Sequence, residues 1–165
     1  FAISKHYDKY SMDIFSIADK GWVFTSDKDK NILNKIELHT IYNNQVDALT
    51  PDHTMADVKS LFLNSNQTFI PIVNEEKNIL GIIYFKKVRG ILFNHYKLHA
   101  TDIASVMQAT HSVSLSENTG NVIELMDKEK IGEVLVTQHQ QLIGYVTKVR
   151  ILEEYRENLK QLRIE

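Results

Sequence analysis

The 165-residue chain contains no cysteine. That excludes disulfides, zinc-thiolate sites and a thiol nucleophile, and it fits a reducing compartment. No stretch approaches the ~18 consecutive apolar residues of a transmembrane helix. No signal peptide is visible at the start. An excess of positive charge is also missing: 19 Lys and Arg stand against 21 Asp and Glu, a net charge of −2. This weighs against a nucleic-acid binder, whose footprint is a strong basic patch. There is no Gly-rich phosphate loop, no H-E-x-x-H and no G-x-S-x-G. Ser and His are plentiful, but nothing pairs them, so the sequence is not read as an enzyme.

What is present is a core-forming composition. Hydrophobic residues make up 43% of the chain and charged residues 24%, as in ordinary globular domains. The length suits one domain or two small ones. The chain begins with Phe1 rather than Met. It reads as a piece of a longer protein, with room for a membrane anchor in the missing part.

Residues 1–45 stand apart from the remainder of the chain. Met12, Ile14, Phe15, Ile17 and Ala18 predict a short helix closed by Gly21. Trp22-Val23-Phe24-Thr25 predicts a short strand. Ile32, Leu33 and Ile36, after the charged run Asp27-Lys28-Asp29-Lys30, predict another short helix.

The rest says nearly the same thing twice. Thr50-Pro51-Asp52-His53-Thr54-Met55 leads into a helix with Val58, Leu61 and Phe62 on one face. Thr54 is its expected N-cap, and Asp57 suits the positive end of the helix dipole. The strand Phe69-Ile70-Pro71-Ile72-Val73, a loop over 74–78, a strand over 79–85 and a helix from Lys86 come next. A polar connector over 94–101 carries His95 and His99. In the second half Thr119 is the expected cap of a helix with Val122, Ile123, Leu125 and Met126 on its apolar face. Glu133-Val134-Leu135-Val136-Thr137, a loop over 138–141 and Leu142-Ile143-Gly144-Tyr145-Val146 predict a second hairpin. Thr147 is the expected cap of a final helix carrying Ile151, Leu152, Tyr155, Leu159 and Leu162. Such a repeat of about 60 residues decides the architecture before any single residue decides function. The fold class expected is α+β/α/β: two β-α-β-β-α units packed through their small sheets, since a unit this small buries too little surface alone.

The motifs Thr50-Pro51-Asp52, Ile70-Pro71-Ile72-Val73-Asn74, Leu80-Gly81-Ile82-Ile83 and Leu142-Ile143-Gly144-Tyr145-Val146-Thr147 resemble the CBS domain, and the two copies resemble a tandem CBS pair (a Bateman module). The flanks narrow the likeness. Residues 21–29, Arg89-Gly90-Ile91-Leu92-Phe93-Asn94 and the segment from Lys148 to Arg156 resemble the cytoplasmic region after the membrane domain in bacterial CLC chloride channel proteins. The resemblance implies a linker over 1–40, a first CBS domain over 41–94, a connector over 95–101 and a second CBS domain with its C-terminal helix over 102–165. It implies a non-catalytic regulatory region of a voltage-gated chloride channel or chloride/proton exchanger, on the cytoplasmic side of the membrane. Its partners would be its own membrane-embedded CLC domain and a second copy in a homodimer, with no nucleic acid. The alternative is an adenine-nucleotide-sensing CBS pair attached to another transporter or a soluble enzyme.

CBS pairs often bind adenine nucleotides, and the resemblance makes ATP, ADP or AMP the possible ligand. In binding members a Ser or Thr opens the last helix and an Asp stands three residues later. A hydroxyl and helix N-terminal N–H groups suit phosphate, and a carboxylate suits a ribose diol. Here Thr147 is present but Arg150 stands at the Asp position, and the first copy has Tyr84-Phe85-Lys86-Lys87. A ribose contact is not supported. Thr147, Lys148 and Arg150 are the candidate phosphate contacts, with solvated surface charge the preferred reading of the two cations. His95 and His99, spaced i, i+4, would share a helical face, but no Asp or Glu ligand set lies nearby and no metal site is assigned. His39, His53, His111 and His139 read as ordinary surface residues.

Overall fold

The computed structural model describes residues 27–164. The helix expected around Met12–Ala18, the strand Trp22–Thr25 and the first part of the linker lie outside the described residues. In chain order the elements are α1 (Asp27–Lys35), α2 (Leu38–Ile41), α3 (Met55–Asn64), β1 (Phe69–Val73), β2 (Ile79–Tyr84), α4 (Phe85–Leu92), α5 (His95–Ala100), α6 (Ile103–Val106), β3 (Ser112–Ser114), α7 (Thr119–Glu129), β4 (Glu133–Gln138), β5 (Gln141–Thr147) and α8 (Lys148–Ile164). They form two compact units, each gathered from separate stretches of chain. One holds the described residues 27–42 with Ser116–Val134 and 146–164; the other holds Asn43–Leu115 and Leu135–Tyr145.

In the second of these units, α3 starts where the sequence predicts. The Thr54 hydroxyl accepts from the Asp57 N–H at 3.3 Å, and the Asp57 carboxylate accepts from the Thr54 N–H at 2.8 Å. This reciprocal capping box satisfies two donors that a helix start leaves orphaned. β1 is buried along its whole length and pairs antiparallel with β2, Ile70 opposite Ile83 and Ile72 opposite Gly81. Asn74 closes the connecting loop by accepting from the N–H groups of Glu76 and Asn78 at 3.0 and 2.8 Å. Met55, Val58, Ile70, Ile72, Ile83, Val88, Leu92 and Ile103 form the core. A second cluster of Phe69, Ile82 and Leu135, flanked by Tyr84, Leu142 and Tyr145, joins the hairpins of the two repeats. Phe69 meets Tyr145 edge-on at 5.1 Å between centroids. The small sheets do pack on each other.

Three details depart from the sequence pattern. The leading strand of the first repeat shrinks to one bridge residue, Leu49 beside Ile72. Just upstream, the Gln67 side chain accepts from the Asp47 N–H at 2.6 Å and donates to the Asp47 carbonyl at 3.0 Å, so a side chain does the work of a neighbouring strand. The polar connector is helical: it forms α5, capped by Asn94 accepting from the Lys97 N–H at 2.9 Å. The second hairpin turns on only two residues, His139 and Gln140, with φ of 51° and 67°, as a tight two-residue hairpin turn requires. Gly81 is needed for a close approach: a Cβ there would stand 2.7 Å from the Gln108 carbonyl oxygen, while the Ile82 N–H donates to that same oxygen at 2.9 Å.

In the other unit, α1, α2, α7 and α8 pack together, burying Leu33, Leu38, Ile123, Met126 and Ile151 to 2% exposure or less. Thr119 does not cap α7. Asn118 does, accepting from the Gly120 N–H at 2.8 Å, while the buried Thr119 hydroxyl donates to the Ile36 carbonyl at 2.5 Å. A hydroxyl sealed inside a helix pair needs an internal acceptor, and Ile36 supplies it. The stripe on α8 is buried at Ile151, Leu152 and Tyr155 and fades to 48% exposure at Leu162. Among the described residues, no helix is long and apolar enough to cross a membrane.

Candidate functional site

The candidate residues Thr147, Lys148 and Arg150 gather at the junction of β5 and α8. β5 runs straight into a 17-residue helix, so the junction carries the positive end of a long helix dipole. Thr147 caps it as expected: its hydroxyl accepts from the Arg150 N–H at 3.1 Å. The Lys148 N–H donates to the Gly132 carbonyl at 2.8 Å. The Lys148 ammonium pairs with Asp127 of α7; their side chains are 13% and 2% exposed. Arg150 pairs with Glu154 one turn on, at 3.1 Å.

Each of the three therefore has a partner within the fold. A lysine in the first turn of a helix opposes the dipole, and an aspartate in the last turn of α7 opposes it there too. The Asp127–Lys148 pair offsets both. Asp127 Oδ2 is nevertheless buried without a hydrogen-bond partner among the described residues, so the carboxylate leans on a single charge-assisted contact. Asp127 was not singled out from the sequence; an acid at a helix C-terminus was the one available signal.

At the equivalent junction of the first repeat, Tyr84 makes no side-chain cap to α4, and Lys86 and Lys87 are exposed. His95 and His99 do share a face of α5, their rings edge-on at 4.8 Å. Among the described residues, no group of three or more His, Asp or Glu is placed to hold a metal ion. His53 is exposed, as expected, but it has a local role: its Nδ1 accepts from the Thr50 N–H at 3.1 Å.

Among the described residues four ionisable groups are displaced from their ordinary ranges, one of them Glu157, which the hydrogen bond from the Lys160 ammonium holds below its usual value. Hydrogen bonds from the Thr54 N–H and hydroxyl hold the Asp57 carboxyl below the usual value. Burial pushes Glu133 up. Burial, reinforced by the 2.5 Å hydrogen bond to Asp29, pushes the Tyr155 phenol up.

The unit containing the hairpin core also holds a cavity of about 510 Å³, within the size range of small-molecule pockets. Val46, Val73 and Leu142 give it apolar walls, and Asn44, Asp47 and Lys77 give it a polar edge. Thr147, Lys148 and Arg150 are not among its lining residues.

The model of the CBS domain matches the chain over residues 39–94 and again over 101–157. The chain belongs to the CBS domain family. It carries the domain twice, as a CBS pair, and a CBS pair is a regulatory domain. Solved structures share its fold. The CBS domain of a bacterial CNNM/CorC family Mg2+ transporter in complex with ATP is 17% identical, with a TM-score of 0.69, over 78% of this chain and 93% of that one. CBS domains of a transcriptional regulator from Streptococcus pneumoniae are 23% identical (TM-score 0.61, 72% of this chain and 98% of that one). The CBS domain of a membrane protein from Sphaerobacter thermophilus is 17% identical (TM-score 0.64, 76% and 91%). No curated protein matches the sequence.

Proposed function

We propose that this CBS pair is the cytoplasmic regulatory region of a CLC-type chloride channel or chloride/proton exchanger, acting by packing rather than by chemistry. The observation that carries this reading is the state of the β5–α8 junction. Thr147 is spent on a helix cap, Lys148 on Asp127 and Arg150 on Glu154, and the carboxylate that would hold a ribose is replaced by Arg150. The resemblance of the flanking segments supports the CLC assignment. The pair would work as a homodimer, and the exposed Val149 and Leu162 on α8 are apolar side chains available to a second copy. Alternative packings of the module would favour different states of the attached membrane domain. A ligand would shift that balance only through differential affinity for those states. The full reading frame tests the assignment, with chloride flux in liposomes, with and without this region, as the functional readout. An upstream series of hydrophobic spans and a changed flux are expected; an upstream sequence without such spans would sink the idea.

The second reading is an adenine-nucleotide sensor, and the cavity beside Asp47 and Lys77 favours it. Thermal unfolding with AMP, ADP and ATP separates the two. A ligand at 100 times its dissociation constant stabilises by about 2.7 kcal/mol, a rise of roughly 5–10 °C for a chain of this size. Under the first reading none of the three nucleotides shifts the midpoint at millimolar concentration. A clear rise with any of them would establish sensing.

A further inference from the structure

The hairpins of the two repeats meet at their tips, and the backbone there is unusual. The Leu142 N–H donates to the Lys77 carbonyl at 2.9 Å, and the Gln141 side chain donates to the Glu76 carbonyl at 3.0 Å. Four non-glycine residues among those described have positive φ, and three stand at these tips: Lys77 at 64°, His139 at 51° and Gln140 at 67°. His139 and Gln140 answer to their two-residue turn. Lys77 lies in the longer loop between β1 and β2, where glycine would adopt the same conformation without strain. A side chain kept in the left-handed region against that preference points to a role for the side chain.

Lys77 borders the cavity of about 510 Å³. Val46, Val73 and Leu142 wall it; Asn44, Asp47 and Lys77 stand at its edge. Both parts are held in place. Val73 is buried, and Gln67 bonds the N–H and the carbonyl of Asp47. The two charges at the edge are uncommitted. Among the described residues neither the Asp47 carboxylate nor the Lys77 ammonium is ion-paired, unlike Lys148 and Arg150. One carboxylate, one ammonium and one amide therefore surround an opening with apolar walls.

We propose that this cavity binds a free α-amino acid with a large apolar side chain. Its carboxylate meets the Lys77 ammonium and the Asn44 amide, its ammonium meets Asp47, and its side chain lies against Val46, Val73 and Leu142. Each ligand charge gains a charge-assisted hydrogen bond, and the apolar body leaves water. A phosphate ester matches the edge less well, because it sets up to two negative charges against a single cation with Asp47 beside it. A simple carboxylic acid satisfies Lys77 but leaves Asp47 without a partner. The inference goes beyond the regulatory reading and does not depend on which protein the CBS pair serves. It competes with the nucleotide reading for one cavity, so the experiment includes nucleotides.

Thermal unfolding and titration calorimetry of the 165-residue chain with L-leucine and L-phenylalanine test it. The single-charge probes are 4-methylpentanoate, which lacks the amine, and 3-methylbutylamine, which lacks the carboxylate. Either amino acid at about ten times its dissociation constant raises the unfolding midpoint by about 3–6 °C. Each single-charge probe binds roughly 10- to 100-fold more weakly, the loss of one hydrogen bond to a charged group. Two variants separate binding from folding. K77G relieves the left-handed strain, so the midpoint without ligand rises while affinity for the amino acid falls by roughly 10-fold or more. A lysine with only a structural role would not lose affinity. D47N keeps the backbone bonds to Gln67, weakens amino-acid binding by a similar factor and leaves 4-methylpentanoate binding no weaker. No response to either amino acid at millimolar concentration, equal binding of 4-methylpentanoate and leucine, or unchanged affinity in K77G and D47N would each overturn the inference. A midpoint rise with AMP, ADP or ATP but with neither amino acid would overturn it too, and would give the cavity to the nucleotide reading.

Discussion

Replacing Lys148 with methionine is expected to destabilise the CBS pair by about 3–5 kcal/mol, the cost of leaving a buried charge without its partner. The partner is Asp127, 2% exposed and already carrying one oxygen with no hydrogen bond. Water cannot readily replace the lost ammonium at that depth, and the carboxylate must then be desolvated alone. Urea unfolding of the wild type and K148M measures the difference directly. The double variant D127L/K148M separates the cost of a broken pair from the net worth of an intact one. Removing both charges together leaves nothing unpaired, and stability should return to within about 1–2 kcal/mol of the wild type. A loss below about 0.5 kcal/mol in K148M would show that the pair is not buried in solution. It would also leave the Lys148 ammonium free to meet a phosphate, so the stability result bears on function.

The second large effect is expected at Leu33. L33A should cost about 2–5 kcal/mol, the range for truncating a buried leucine. Leu33 is 1% exposed on α1, a helix from the part of the chain that resembles a linker. Around it, the Thr119 hydroxyl is bound to the Ile36 carbonyl, Tyr155 is bound to Asp29, and Lys30 pairs with Glu124 at 3.4 Å. The last is an exposed pair and contributes little; the buried leucine and the two hydroxyl hydrogen bonds hold the helix. α1 is thus built onto α7 and α8. A cost under about 1 kcal/mol in urea unfolding would show instead that α1 is loosely attached. Hydrogen exchange of the α1 amides gives an independent reading, since a docked helix exchanges only through larger openings.

Much of the fold is legible in local pattern. The uninterrupted apolar run Phe69–Val73 is a strand buried throughout. Thr54 and Asp57, three residues apart before an apolar helix, are the capping box they look like. Thr147 caps α8. These features depend on residues within one or two turns of each other. The errors share the opposite character. Thr119 resembles a cap, but its hydroxyl is claimed by Ile36, 83 residues away. The leading strand of the first repeat is shortened where Gln67 occupies the backbone of Asp47 from 20 residues on. In the candidate site, the cap was legible but the partner of Lys148 was not, since Asp127 lies 21 residues upstream in another helix.

By itself the sequence determined the duplication, the class of the main helices and hairpin strands of each repeat, and the likeness to the CBS domain. Those rest on the spacing of apolar, capping and turn residues along a few helical turns or strand pairs. Only the tertiary structure decided the state of the charges. It committed Lys148 and Arg150 to Asp127 and Glu154. It left Lys86, Arg89 and Lys97 exposed. Counted along the chain, these cations are alike. Whether each meets a carboxylate or water depends on what the fold brings within a few ångströms, and pairing energy falls too steeply with distance and solvent for composition to report it.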